Sequence, residues 1–138
     1  PTLKRAFQTS HGEAQFQYAK LLGILGESDG VELLIEALEA VEAWDAKIFQ
    51  GNMAEYAHLP TPVDALILAL GYSGDRRAVP VTLEKLETLD ADVTLSHHRS
   101  VALALEALGD PAAAEPLARL LKKPGMSGHE MRKLEPLY

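Results

Sequence analysis

Apolar residues recur along this chain in runs with the three- and four-residue spacing of amphipathic helices. Three segments share one order: an apolar run, a glycine, a turn with aspartate, and a second amphipathic run. They read YAKLLGILGESDGVELLIEAL from Tyr18, VDALILALGYSGDRRAVPVTLEKL from Val63 and RSVALALEALGDPAAAEPLARLL from Arg99. A run, a stop and a second run make a helical hairpin. The pattern therefore predicts three hairpins.

The turns of the three segments carry the usual helix stop and start signals. Glycine closes a helix in the left-handed conformation at little cost, and aspartate accepts hydrogen bonds from the free amides of the next helix. The predicted stops are Gly26, Gly71 and Gly109. The predicted caps are Asp29, Asp75 and Asp110. Ser10 with Glu13 forms an SxxE capping pattern before the first hairpin, and Thr61 precedes Pro62 before the second.

These signals predict an all-α domain over residues 1–138, in which about three hairpins stack into an α-α superhelix. The hairpins are expected at about 12–45, 61–89 and 96–123. An insertion at 46–60, with a short helix around Met53 to His58, explains the unequal repeat spacing. A terminal partial helix is expected at 127–138.

The helix expected over 31–44 is sharply two-faced. Its apolar stripe is Leu34, Leu38, Val41 and Trp44. Its acidic stripe is Glu32, Glu36, Glu39 and Glu42. Such a division is typical of a helix with one side on a core and the other in water. The helix over 63–70 is apolar almost all round, which favours a central position in the stack.

LGYSGDRRAVP and ALEALGDPAAAEPLARLL resemble HEAT-like repeats of the type named after phycobilisome lyases, over roughly residues 15 to 123. The resemblance implies a right-handed stack whose second helices line a concave partner surface. ALGYSGDRRAVP, SHHRSVALALEALGD and PGMSGHE also look like the HEAT-like tail of certain bacterial FAD-dependent oxidoreductases. That second resemblance implies a C-terminal piece without the cofactor domain, because the chain has no GxGxxG.

Composition and charge limit the classes of partner and the compartments to be considered. Thirteen basic and twenty acidic residues give a net charge of −7, which disfavours nucleic acid. Cysteine is absent, which removes thiol chemistry and slightly favours the cytosol. The longest apolar stretch, ALILAL from Ala65, is too short to span a membrane. The first residue is proline, so we expect a processed chain or a fragment of a larger protein.

Two neighbouring histidines offer the main candidates for chemistry. His97 and His98 follow Asp90 and Asp92, which suggests a metal site, and Ser96 would complete a catalytic triad. Adjacent helical residues point about 100° apart, however, and histidine ligands on one helix usually lie four residues apart. We expect instead an exposed first helical turn with one imidazole packed and hydrogen-bonded. No catalytic residue, metal or cofactor is predicted.

Partner binding is the expected function, through charge or through an aromatic group. The acidic candidates are Glu32, Glu36 and Glu39. The basic candidates are Arg119, Lys122 and Lys123. If second helices line one side, the two sets make a dipolar surface; the alternative is a merely solvated acidic face. The aromatic candidates are Trp44, Phe49 and Tyr56 with Met53, whose alternative role is to cover the core.

We therefore expect a noncatalytic scaffold that binds a protein or another domain of the same parent chain. Uncovered ends of the stack would allow a homo-oligomer. Two alternatives stay open: a C-terminal accessory domain of an FAD-dependent oxidoreductase, and a subunit like a bilin lyase.

Overall fold

The computed structural model describes residues 2–45 and 60–126, and this part of the chain is helical without any strand. The helices are α1 (Thr2–Thr9), α2 (Gly12–Ile24), α3 (Val31–Glu39), α4 (Pro62–Tyr72), α5 (Val79–Glu87), α6 (Leu95–Leu108) and α7 (Ala114–Leu121). Short 3-10 turns, Arg76–Ala78 and Pro111–Ala113, lead into α5 and α7. The predicted all-α class is confirmed. The expected insertion, apart from residue 60, and the expected terminal helix lie outside the described residues.

Three hairpins, α2 with α3, α4 with α5, and α6 with α7, stack side by side. Helices α2, α4 and α6 form one layer, the first-helix layer, in which α4 lies between the other two. Helices α3, α5 and α7 form the second-helix layer. The side chains that face inward from both layers form one core, because each helix buries its apolar stripe against its neighbours. Helix α4 is buried on most sides, as its apolar sequence predicts.

Helix α1 was not predicted from the sequence. It packs on α2, and its Phe7 contacts the core close to Gly30. Lys4 of α1 also forms ion pairs with Glu27 and Asp29, 3.0 and 3.6 Å away. These contacts hold α1 across the turn between α2 and α3. An eight-residue helix is marginal by itself in water, so tertiary packing stabilises it.

Two predicted caps are wrong. The SxxE pattern at Ser10 is not used, because the Ser10 hydroxyl donates back to the Ala6 carbonyl and His11 begins α2 without a side-chain cap. The Asp29 carboxylate forms an ion pair with Lys4 and does not cap α3, whose N-cap residue is Gly30. The other caps are present: Asp75 and Asp110 accept from the amides of Arg77 and Ala112, each at 2.9 Å.

One predicted stop is also wrong. Gly26 and Gly109 have the expected positive φ of 87° and 62°, but in the second hairpin Gly74, not Gly71, has the left-handed conformation. Gly71 remains inside α4 and lies against Ala104 of α6. Its lack of a side chain thus serves close helix packing, not chain reversal.

The helix expected over 31–44 ends at Glu39. Beyond it, the carbonyl of Val41 accepts from Lys85 Nζ at 2.7 Å, and the Trp44 indole donates to Thr88 Oγ1 at 2.9 Å. These bonds to α5 and its C-terminal end hold residues 40–45 out of the helical path. Val41 and Trp44 still pack against the core, and the four predicted glutamates are exposed.

Candidate functional site

A buried polar cluster joins the end of the first hairpin to the starts of α4 and α6. We call it the Asp64–His97 cluster, and its members are Trp44, Asp45, Thr61, Asp64 and His97. His97 Nδ1 lies 2.6 Å from Asp64 Oδ1, and the two residues are 1% and 0% exposed. A charged group this deep is stable only when it is paired and hydrogen-bonded. The cluster supplies those partners.

Local sequence places Asp64. Thr61 begins α4, with its hydroxyl accepting from the Asp64 amide at 3.3 Å while its own amide donates to Asp64 Oδ2 at 3.0 Å. This is a capping box, with Pro62 at the first helical position. Thr61 Oγ1 also donates to Asp45 Oδ1 at 2.6 Å, and the Val63 amide donates to Asp45 Oδ2 at 3.1 Å. The box is thereby linked to the end of the first hairpin.

The electrostatics of Asp64 follow from this geometry. Burial by itself raises the pKa of the Asp64 carboxyl, but the hydrogen bonds from His97 and the Thr61 amide outweigh it and hold the pKa below the ordinary value. Asp64 is therefore an ionised carboxylate at neutral pH. It can fix an imidazole in place.

The imidazole of His97 is buried, and both of its nitrogens and one face of its ring contact other residues. Its Nε2 lies 3.1 Å from the Asp45 carbonyl oxygen, so both ring nitrogens contact oxygen atoms of the protein. The Trp44 ring stacks on the imidazole, with 4.5 Å between centroids and 29° between planes. A general base must reach the proton it removes. Asp64 and His97 are the residue types of an acid–base dyad, but both side chains are buried, and their contacts hold the surrounding elements together.

His98 is also buried, so the expected exposed helical turn is wrong. Its Nε2 lies 2.8 Å from the Asp90 carbonyl oxygen. Burial lowers the pKa of His98, and the contact with that carbonyl only partly opposes the shift. His98 Nδ1 and Ser96 Oγ are buried without a hydrogen-bond partner in the described part of the chain. The triad of neighbouring residues is not formed, because His97 pairs with Asp64 of another helix and not with Asp92.

The second-helix layer presents a different kind of surface, crossed by ion pairs between successive hairpins. Arg77 Nη1 lies 2.8 Å from Glu32 of the preceding hairpin, and Arg119 Nη2 lies 2.7 Å from Glu87 in the same way. Arg77 also binds Asp75 at 2.7 Å, and this hydrogen bond is the main cause of the lowered pKa of the Asp75 carboxyl. Exposed pairs of this type contribute little to stability. They do fix where the charges lie.

The predicted charged residues occupy both ends of this layer. Glu36 and Glu39 are exposed on α3, with no ion pair among residues 2–45 and 60–126. At the other end, Lys122 is exposed, while Lys123 Nζ donates to the carbonyls of Glu87 and Leu89 at 2.9 and 2.6 Å. Glu32 and Arg119 are held by the pairs between hairpins. Of the six predicted residues, Glu36, Glu39 and Lys122 are thus the ones that are exposed and have no ion-pair partner among the described residues.

Comparison with known proteins gives one match to a family model, described as PBS lyase HEAT-like repeat, over residues 98–123. The third hairpin is a HEAT-like repeat. No curated protein and no solved structure matches the chain. The matched residues include most of α6, all of α7 and the capped turn at Asp110 between them. The recognition of this repeat type from ALEALGDPAAAEPLARLL is confirmed.

The other candidates were an aromatic group, a metal site and a membrane span. Of the aromatic group, Trp44 is half-buried on His97, while Phe49, Met53 and Tyr56 lie outside the described residues. Within the described ranges there is no group of three or more histidine or acidic residues that could hold a metal ion. No described helix is long and apolar enough to cross a membrane.

The sequence did not indicate Asp64 as a site residue, although one signal was available. TPVD at residues 61–64 has a threonine followed three positions later by an acid, which is the pattern of a capping box. The pattern predicts the cap. It cannot predict that a histidine thirty-three positions later reaches the same carboxylate.

Proposed function

We propose that this HEAT-like domain is a noncatalytic scaffold that binds a protein partner, or another domain of its parent chain, through the exposed side of its second helices. One observation carries the proposal: exposed carboxylates at Glu36 and Glu39 and an exposed ammonium at Lys122 lie at opposite ends of one helical layer. The contacts between hairpins leave these charges available to a partner. HEAT-like repeats generally mediate protein contacts, which supports the same function.

The enclosure of the Asp64–His97 cluster also supports a binding role. Its imidazole has both nitrogens in contact with protein oxygens, and its carboxylate is fully buried. The described residues therefore offer no accessible acid–base pair at this position. The chemistry of this cluster is better explained by the joining of α4, α6 and the segment after α3.

The proposal is tested by retention of partners on the immobilised chain from the extract of its source cells. Wild type is compared with a Glu36→Lys, Glu39→Lys double variant and with Lys122→Glu. Glu13→Lys is the matched control, because Glu13 is an exposed residue of α2, outside the second-helix layer. We expect one protein that wild type and the control retain, and that both test variants lose. Retention should fall as salt rises, because exposed charges are screened. Equal retention by every variant would contradict the proposal.

The matched family model gives a second candidate, the binding of an open-chain tetrapyrrole, because the model is named after a lyase. Biliverdin added to the purified chain should then change its visible absorbance in a saturable way. An unchanged spectrum at millimolar concentration would remove this candidate. The scaffold proposal would stand, since it needs no pigment. An accessory domain of an FAD-dependent oxidoreductase would use the same charged layer to contact its cofactor domain.

A further inference from the structure

The first-helix layer is built by one repeated contact. Gly23 of α2 lies against Ala69 of α4, where an added Cβ would be 2.5 Å from the Ala69 carbonyl oxygen. Gly71 of α4 lies against Ala104 of α6 in the same way, with 2.6 Å between an added Cβ and the Ala104 Cβ. In both contacts the earlier helix thus presents a glycine forward, toward the next hairpin, and the later helix presents an alanine backward. Small residues at both points permit the close approach.

Gly26, Gly74 and Gly109 all have positive φ and follow the three first helices, so equivalent positions of these helices can be counted back from them. Three positions before them stand Gly23, Gly71 and Glu106; five positions before them stand Leu21, Ala69 and Ala104. The forward position is therefore charged in the last helix, and the backward position is a leucine in the first. The two ends of the layer differ in chemistry.

At its forward end the layer, as residues 2–45 and 60–126 form it, carries a charged residue. Glu106 is exposed on α6 at the position where α2 and α4 carry the packing glycine. A further helix packed there at the same distance would have to bury this carboxylate, which is costly without a partner. Charged outer positions are typical of a repeat that ends a stack.

At its backward end the layer is apolar and uncovered by the described residues. Leu21, Ile24 and Leu25, at the C-terminal end of α2, are 48%, 50% and 64% exposed. Leu25 also lines an open groove of about 360 Å³ between α1 and α2, together with Leu3 and Leu22. Contiguous exposed leucines on a helix mark an interaction surface more often than isolated ones do. We call this surface the α2 face.

We propose that the α2 face binds an amphipathic helix of another protein, which packs beside α2 on the side opposite α4 and places a small residue against Leu21. The occupant would extend the first-helix layer by one position, so the surface is continuous with an established interface of the fold. It would present a glycine or alanine to Leu21, because in both observed contacts the forward helix face carries a glycine. This inference rests on the proposed scaffold function but uses a different surface.

A second copy of this chain is a poor occupant. Packed head to tail, it would bring the Glu106 carboxylate onto Leu21 and Leu25 and bury it without a cation. Packed head to head, it would set leucine against leucine, with no glycine to receive either side chain. A separate helix with a small residue at the contact avoids both problems.

The probe is a fluorescent peptide with the sequence of residues 60–75, which include α4. It is chosen because α4 presents Gly71 to the next helix of the layer. A covalent bridge between positions 65 and 69 keeps it helical and leaves the Gly71 side free, since residues 69 and 71 lie on opposite sides of a helix. Its binding to the full chain is measured by fluorescence anisotropy. The matched control peptide carries Gly71→Glu, which copies the forward position of α6.

Leu21→Glu and Leu25→Glu test the α2 face, and Leu121→Glu is the control because Leu121 is 65% exposed on α7. All three changes are at exposed positions, and circular dichroism with urea unfolding verifies the fold. We expect the peptide to bind wild type and Leu121→Glu alike, with at least about tenfold weaker binding to the α2-face variants. The Gly71→Glu peptide should not bind.

Three results would overturn the inference: no saturable binding at millimolar peptide, equal binding of the Gly71→Glu peptide, or equal loss with Leu121→Glu. Sedimentation equilibrium provides a fourth. A wild-type dimer that Leu21→Glu dissociates would show that the occupant is a second copy. None of these results affects the charged-layer experiment, so the scaffold proposal and this one fail separately.

Discussion

Gly71 of α4 and Ala104 of α6 meet so closely that no side chain fits between them: a Cβ on Gly71 would lie 2.6 Å from that of Ala104. This contact joins the second hairpin to the third. Overpacking of a tight core contact forces the helices apart or the side chains out of their preferred rotamers. The contact therefore sets the spacing of the first-helix layer.

We predict that Gly71→Ala lowers the free energy of unfolding by about 1–3 kcal/mol, although alanine is the better helix former. Urea unfolding followed by circular dichroism measures the change. Ala102→Val, at an exposed position of the same α6, is the control and should stay within about 0.5 kcal/mol of wild type. A stabilised Gly71→Ala variant would show that propensity outweighs the contact, and that α4 and α6 are not closely packed.

Removal of the imidazole from the Asp64–His97 cluster should be among the most destabilising single changes. His97→Ala leaves the fully buried Asp64 carboxylate without its main partner, which typically costs about 3–5 kcal/mol. Denaturant unfolding of His97→Ala, Asp64→Ala and the double variant forms a thermodynamic cycle. We expect the double variant to lose much less than the sum of the single losses, because it leaves no unpaired charge. Additive losses would indicate that the two residues act independently.

His98 should make the domain sensitive to mild acid. Because its folded-state pKa lies below the ordinary 6.5, the folded protein binds fewer protons than the unfolded chain between those two values. The corresponding stability is fully present above pH 6.5 and is lost as pH falls toward the lower folded value. We expect the urea midpoint to fall between pH 7.5 and 5.5, and to fall less in His98→Gln. The same slope in both proteins would assign the effect to other groups.

The capping box at α4 should contribute measurably, whereas the unused pattern at α2 should not. Thr61→Ala removes the acceptor of the Asp64 amide and the donor to Asp45, and a lost cap costs about 0.5–2 kcal/mol. Ser10→Ala is the matched control, since the Ser10 hydroxyl does not cap α2. Thermal denaturation should show a clear decrease in Tm for the first variant only. A larger decrease for Ser10→Ala would contradict the assignment of the caps.

Much of the fold could be predicted because its signals are local. The period of apolar residues indicates the helices, and a glycine before an aspartate at Gly109 and Asp110 indicates the turn that joins α6 to α7. The same kind of signal misled at Gly71, which is also a glycine at the end of an apolar run. Local sequence cannot distinguish a glycine that reverses the chain from one that accepts a neighbouring helix.

The candidate site could be predicted only in part. The glutamate stripe of α3 is exposed as expected, because helical periodicity determines which side chains share a face. For His97 and His98 the sequence predicts an exposed helical turn with one imidazole packed, whereas the structure buries both side chains. Their burial depends on Asp64 and on the loop around Asp90, so it arises from contacts across the fold.

The sequence by itself determined the helical class, the three hairpins and the two faces of α3, since each depends on residues within a few positions of one another. The tertiary structure alone decided that α1 forms, that α3 stops at Glu39 and that Asp64 meets His97. It also decided that Leu21 is exposed where Ala69 and Ala104 are buried. The physical reason is that burial, pairing and helix ends depend on which distant surfaces come into contact, and those contacts exist only after the layers have stacked.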